Sequence, residues 1–170
     1  MLKRGKLRIF WDPFYSTYNV GPYTYSPYKV VWANIASDIK AAVVSQAEER
    51  LVIPEHVVTL VPFEDENEAH YVCALLNSSP ANYTVKSYST KGGKSFGTPH
   101  VLDHIRIKYF DPTNPTHREM ALLSQQAHAH VNDVDQIWKI EAEIDKLAAQ
   151  LWGLTDDELR KIQESLEELG

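Results

Sequence analysis

Cysteine is almost absent from this chain of 170 residues, which contains only Cys73. A single cysteine excludes an internal disulfide and a zinc site built from cysteines. No apolar run approaches the ~20 residues that a membrane-spanning helix needs. The N-terminal segment 1–6 is basic, but no apolar stretch follows it, so it does not predict a secretory signal. We therefore expect a cytoplasmic protein that does not enter a membrane.

Proline is missing from the last 55 residues, which contain only two glycines. The earlier part alternates turn residues with segments rich in Val, Ile and aromatic residues. Such segments predict strands, here at residues 7–11, 28–35, 39–44, 56–63 and 105–110. The composition of residues 12–27 predicts a loop, because Pro, Gly, Asn and Ser are frequent there. Helical spacing over 67–76 predicts a helix with Cys73 in the core, and Ser79 opens a further short helix or turn.

The proline-free part predicts three helices. Asn114 and Pro115 form an N-cap and first turn, Asn132 or Asp133 starts the next helix, and Gly153 ends it. Residues 155–158 form a capping box for the last helix. The apolar residues of the last two helices repeat at alternating steps of three and four, typical of helices that pair with other helices.

We therefore predict an α+β domain over residues 1–131 and a helical arm over 132–170. The first has a mixed, twisted sheet with short helices, and the arm docks a partner or sets a spacing. The apolar stripes of the arm could pack against helices of the same chain or against a second copy in a homodimer. The residues predicted for docking are Ile137, Ile140, Ile144, Leu147, Leu151, Leu159, Ile162 and Leu166.

The net charge of −6 conceals a segregation of charge. Residues 132–170 contain 11 acidic and four basic residues, whereas 1–31 and 83–108 each contain five basic residues and one acidic residue. Basic segments separated in this way are compatible with nucleic-acid binding. Solvated faces would give the same pattern.

Aromatic residues are also concentrated. Nine of the 18 lie within residues 1–32, interleaved with the five basic residues of that segment. Aromatic rings beside Lys and Arg suit stacking on bases and contacts with phosphates. A tyrosine-rich loop packed over a sheet is the alternative interpretation.

Motifs for catalysis are incomplete. Gly93-Lys94-Ser95 matches the end of a phosphate-binding loop, but Tyr88 stands where the first glycine belongs. Residues 12–15 approach the N-P-P-Y tetrapeptide of amino-methylating enzymes without its second proline. His100 and His104 are four residues apart, but no third metal ligand accompanies them. We therefore expect no self-contained enzyme, no metal and no cofactor.

The order of several segments resembles a known family. A-x-Y-x-x-A-L-L-N-S at 69–78 is followed by a glycine loop and by I-x-I-x-x-F-D-P at 105–112. Over about 28–165 the chain resembles the C-terminal target-recognition domain of adenine-specific DNA methyltransferases in type IIG restriction–modification enzymes. It is also similar to one half of a type I specificity subunit. The similar segments are 28–32, 52–54, 69–80, 87–89, 93–99, 102–107, 110–114, 123–124 and 144–155.

The resemblance implies a module that reads double-stranded DNA for a methyltransferase or restriction partner and has no catalytic centre of its own. Loop 89–99 would face the DNA groove, and the acidic arm would dock protein. The residues assigned to DNA binding are Arg4, Lys6, Arg8, Tyr23, Tyr25, Lys86, Tyr88, Lys91, Lys94, Ser95 and Arg106. The alternatives are a protein–protein adaptor that acts through the arm and a metal-dependent nuclease.

Overall fold

The computed structural model describes residues 21–46, 52–54, 57–88 and 99–169. Within these ranges, short 3₁₀ helices occupy Pro22–Tyr25 and Pro99–His104. The strands are β1 (Tyr28–Ala33), β2 (Ala42–Ser45) and β3 (Val58–Phe63). The α-helices are α1 (Glu66–Asn77), α2 (Ser79–Tyr88), α3 (Pro115–Ala129), α4 (Val134–Trp152) and α5 (Asp156–Leu169). The predicted α+β class is confirmed, and the strand predicted at 7–11 lies outside the described residues.

The described strands form one sheet in the order β2–β1–β3, and both pairings are antiparallel. The mixed sheet expected from the sequence is not found among them. Val30 on the central strand is opposite Val43 and Val61, and Val30 and Trp32 are buried. Because side chains alternate between the faces of a strand, these residues share the face toward the core, where β1 contacts α1.

Strand β2 begins later than the predicted 39–44 because side chains bind the backbone that precedes it. The N–H of Ile39 donates to Oδ1 of Asn82 at 2.9 Å, and the N–H of Ala41 donates to Oδ1 of Asn77 at 2.7 Å. The Asn77 amide also donates to the carbonyl of Ala41 at 2.9 Å. These groups are therefore satisfied by α1 and α2 rather than by a neighbouring strand.

The strand predicted at 105–110 is wrong, since no strand in the described ranges pairs with this segment. Side chains anchor its backbone instead. The indole Nε1 of Trp152 donates to the carbonyl of Arg106 at 3.1 Å, and the N–H of Asp111 just beyond it donates to Nδ1 of His117 at 3.0 Å. The apolar alternation that predicted a strand reflects one-sided burial, with Ile105 inside.

Helix α1 is the centre of the core. All residues from 69 to 76 are buried, so the helix is enclosed by other elements on every side. It contacts the sheet, α2, α3 and α4. Burial raises the pKa of the Cys73 thiol to about 12, and this thiol donates to the carbonyl of Ala41. The predicted core role of Cys73 is confirmed.

The predicted ends of the C-terminal helices are also confirmed. Asn114 caps α3 and Asp133 caps α4 through their side-chain oxygens. The N–H of Thr155 donates to Oε2 of Glu158 at 2.8 Å, and the N–H of Glu158 donates back to Oγ1 of Thr155. Gly153 ends α4 with a φ of 71°, a left-handed conformation that glycine adopts at least cost.

Helices α4 and α5 pack on the rest of the chain. Ile140, Ile144 and Ala148 belong to the same hydrophobic cluster as α1, and Leu159 is buried as well. Ile140, Ile144 and Leu159 were predicted to dock a partner, and the structure instead places them inside this chain. The spacing of apolar residues by three and four positions predicted that these helices pair with others. It could not identify which helices pack against the apolar stripe.

Asp145 of α4 joins three helices through a buried carboxylate. Its Oδ1 accepts the N–H of Ser79 at 2.7 Å, and its Oδ2 accepts the Ser79 hydroxyl at 2.6 Å. Oδ2 also accepts the side-chain amide of Gln163 on α5 at 2.8 Å. A carboxylate at the first residue of α2 satisfies free N–H groups there and is favoured by the helix dipole.

We expect Asp145→Ala to destabilise the fold by about 2–4 kcal/mol, because three partly buried donors lose their acceptor together. Asp145→Asn keeps one acceptor oxygen and should cost less. Glu143→Ala on the same helix removes only an exposed pair with Lys146 and is the matched control. Urea unfolding measures all three, and equal midpoints for Asp145→Ala and Glu143→Ala would contradict the assignment.

Two histidines lie between α1, α3 and β2. Nδ1 of His70 is 2.9 Å from Oγ of Ser124, and the His70 and His128 rings meet edge to face at 5.0 Å. His128 donates from Nδ1 to the carbonyl of Ser124 and accepts the N–H of Val43 at Nε2. In this arrangement the ring nitrogens of His128 have partners on both α3 and β2. Burial, and then the neighbouring His128, lower the pKa of His70 to about 4.

Acid should therefore destabilise the fold through His70. The unfolded chain binds a proton there as pH falls below the ordinary pKa of 6.5, whereas the folded chain does so only near 4. Between these values the unfolded state holds more protons, so the free energy of unfolding decreases as the pH is lowered. We expect His70→Gln to lessen this fall in urea titrations at successive pH values. His130→Gln, at an exposed histidine, should follow the wild type, and a His70→Gln profile parallel to wild type would refute the assignment.

Candidate nucleic-acid interface

The end of α2 presents two stacked rings. Tyr88 is the last residue of α2, and His104 ends the 3₁₀ helix that contacts it. The ring centroids are 4.2 Å apart with an angle of 12° between the planes. Tyr88 is 64% exposed, so the pair lies at the surface rather than in the core. Mutual stacking restricts both side chains, so their polar edges are held in a defined arrangement.

Arg106 is anchored beside this pair by its backbone. Ile105 is buried, and its N–H donates to the carbonyl of Leu102 at 3.0 Å. Trp152 binds the Arg106 carbonyl, whereas the Arg106 side chain is exposed. The Arg106 side chain therefore extends from an anchored backbone two residues after His104. Exposed Lys108 and Tyr109 follow within three residues.

A cavity of about 260 Å³ adjoins His104. Its apolar part includes Tyr83 on α2, Trp152 at the end of α4 and Ile162 on α5, and the exposed His104 and Arg106 also line it. The site thus combines aromatic surface, a guanidinium and an imidazole. Groups of this kind bind phosphates, base edges and planar rings.

Lys86, which the sequence assigned to DNA binding, is paired with a carboxylate of this chain. Its ammonium is 2.5 Å from Oδ1 of Asp38, and its side chain is only 13% exposed. Burial alone would raise the pKa of Asp38, but hydrogen bonds from Lys86 and Ser37 outweigh it and hold this pKa below its ordinary value. Lys86 therefore ties α2 to the loop before β2, and its charge is already paired.

Tyr23 and Tyr25 lie on the first 3₁₀ helix and are 40% and 58% exposed. This helix and the one that carries His104 both contact the edge strand β3. A Cβ at Gly21 would lie 2.5 Å from the Tyr23 ring, so a side chain there would displace this ring. Of the other residues assigned to DNA binding, Arg4, Lys6, Arg8, Lys91, Lys94 and Ser95 lie outside the described residues.

His104 and Trp152 are functional candidates that the sequence did not indicate. His104 had been considered only as a metal ligand, and the described ranges contain no group of three His, Cys, Asp or Glu residues that could hold a metal. Trp152 reaches Arg106 across 46 residues of sequence, and nothing in the local pattern predicts such a contact. Of the helices that the structure describes, none has the length and apolar character required to cross a bilayer.

Comparison with known proteins gives one partial similarity. A segment of 82 residues, 48% of this chain, is 32% identical to the Type II methyltransferase M.NspV of Nostoc sp. (strain ATCC 29411 / PCC 7524). The matched part is 17% of that protein, so the chain spans well under two thirds of its length. No family model and no solved structure matches the chain. The likeness to a methyltransferase expected from the sequence is confirmed over this segment.

Proposed function

We propose that this chain is a sequence-specific DNA recognition module of a restriction–modification methyltransferase and has no catalytic centre of its own. The similarity to a type II methyltransferase supports a role in such a system. The observation that carries the proposal is the exposed Tyr88–His104 stack beside the anchored Arg106. The methyl-transfer chemistry would belong to a separate catalytic domain or subunit.

The chemistry of this surface suits DNA. A guanidinium can bind a phosphate or the O6 and N7 atoms of guanine in the major groove. The Tyr88 hydroxyl and the His104 ring nitrogens can form hydrogen bonds with phosphates or base edges. Because the rings are stacked on one another, less conformational entropy is lost when they engage DNA.

Charge also favours this end of the molecule. The sequence between Tyr88 and Pro99 contributes Lys91, Lys94 and Ser95, which are natural donors to phosphates. Residues 132–170 carry most of the acidic excess and would be repelled by DNA. DNA would therefore meet the end of α2, and the acidic helices would remain available for protein contacts.

We expect Arg106→Gln to weaken binding of the full chain to a mixed-sequence duplex, because one phosphate or guanine contact is lost. If Arg106 binds phosphate, the plot of log affinity against log salt concentration should become shallower, with the magnitude of its slope reduced by about one. Tyr88→Ala should weaken binding about tenfold, and Tyr88→Phe less, because the ring survives. Fluorescence anisotropy over ~50–200 mM salt measures this.

Arg160→Gln is the matched control, since Arg160 is paired with Asp157 and Glu164 on α5. It should leave DNA affinity within about twofold of wild type. Selection from a random duplex pool then tests sequence specificity. A wild-type chain that enriches no sequence and shows no salt dependence would refute the proposed function.

We expect the double charge reversal Lys91→Glu with Lys94→Glu to reduce DNA affinity more than tenfold at low salt. Two attractive charges in the sequence between Tyr88 and Pro99 would become repulsive. The same reversal at Lys139 and Lys146, on the acidic helix α4, should have little effect. Unchanged DNA affinity of the Lys91→Glu, Lys94→Glu variant would show that the assignment of the 89–99 loop to the interface is wrong.

A further inference from the structure

A groove of about 770 Å³ lies between α4, α5, α2 and the loop before β2. It is separate from the stacked rings, because it uses another face of α2. Ser79, Asn82 and Lys86 line the groove, whereas Tyr83 and Thr84 line the small cavity beside His104. These spacings place the two sets on different faces of the helix. A molecule in the groove and DNA at Tyr88 would thus contact different surfaces.

The groove contains a large exposed aromatic residue. Trp138 is 71% exposed and lies on one stripe of α4 with Ala142 and Asp145. Leu166 of α5 lines the groove as well and is half-buried. Tryptophan is enriched among the residues that dominate binding energy at protein interfaces, chiefly when it is covered by a partner. The exposed ring therefore provides a contact surface that the described part of the chain leaves open.

The charges of the groove are unbalanced. Asp38 is paired with Lys86, and Asp145 is fully engaged by Ser79 and Gln163. Glu141 and Glu167 remain, with Lys40 as the other cation of the lining. Partial burial, and then the charge of Asp145, raise the pKa of Glu141. The four carboxylates of the lining exceed its two cations, so the groove would attract further positive charge.

We propose that the groove binds a cationic segment of a partner protein, with Lys or Arg next to an apolar side chain. The cation would lie near Glu141 and Glu167 and over the face of Trp138, where the ring quadrupole attracts positive charge. The apolar side chain would contact Leu166 and Ala142. The acidic excess of residues 132–170 favours a cationic polypeptide and disfavours nucleic acid.

The test uses the full chain and two labelled synthetic helical peptides of identical pattern, one of Arg and Leu and one of Glu and Leu. We expect saturable, salt-sensitive binding of the Arg–Leu peptide and none of the Glu–Leu peptide. Trp138→Ala should weaken binding at least about tenfold. Glu141→Gln combined with Glu167→Gln should weaken it about fivefold and reduce its salt dependence.

Two matched controls separate the groove from general surface charge. Val134→Ala changes another exposed residue one turn earlier on α4, and Glu168→Gln neutralises the neighbour of Glu167 that does not line the groove. Both should stay within about twofold of wild type. Equal binding of the two peptides, no binding of either, or equal losses in variants and controls would overturn the proposal.

Arg106→Gln should leave peptide affinity unchanged. The proposal for the groove and the proposal for the DNA surface can therefore be refuted independently. A chain that binds the Arg–Leu peptide through Trp138 but no DNA would support the groove and refute the DNA interface. DNA binding without peptide binding would support the DNA interface and refute the peptide groove.

Discussion

A single buried carboxylate sets the arrangement of the helical half of this protein. Asp145 binds the first residue of α2 and the side chain of Gln163 on α5 at the same time. Burying a charge is costly unless hydrogen bonds satisfy it, and here the two oxygens accept three. The alternatives to this packing would leave the carboxylate unpaired, so the relative positions of α2, α4 and α5 are strongly specified.

Both candidate surfaces follow from that arrangement. The direction of α2 determines where Tyr88 meets His104 at one end of the helix. Its other face, with Asn82 and Lys86, forms a wall of the groove opposite α4 and α5. One short helix thus contributes to a basic, aromatic surface and to an acidic one, and its orientation is fixed by Asp145, which lines the acidic groove but is hydrogen-bonded within the chain.

Local signals in the sequence predicted the helices well, because caps and apolar spacing act within a few residues. Asn114, Asp133, Thr155 and Gly153 all occupy the cap positions expected for them. The errors arise where distant side chains replace backbone partners. Asn77 and Asn82 shorten β2, and Trp152 and His117 hold residues 105–111 without a strand neighbour. Amphipathic spacing likewise identified Ile140 and Ile144 as contact residues but could not show that the partners were α1 and α3. The candidate site was predicted only in part, since Tyr88 and Arg106 were selected by type and charge, whereas His104 joins them through a fold-dependent contact.

The hydrogen bond from Val43 to His128 has a consequence for self-association. Strand β2 is at an edge of the described sheet, and the imidazole of His128 accepts one of its outward N–H groups. An edge strand with free N–H groups is a template for pairing with another chain. The ring of His128 thus occupies one outward N–H group of β2 and protects this part of the sheet edge from intermolecular β-pairing.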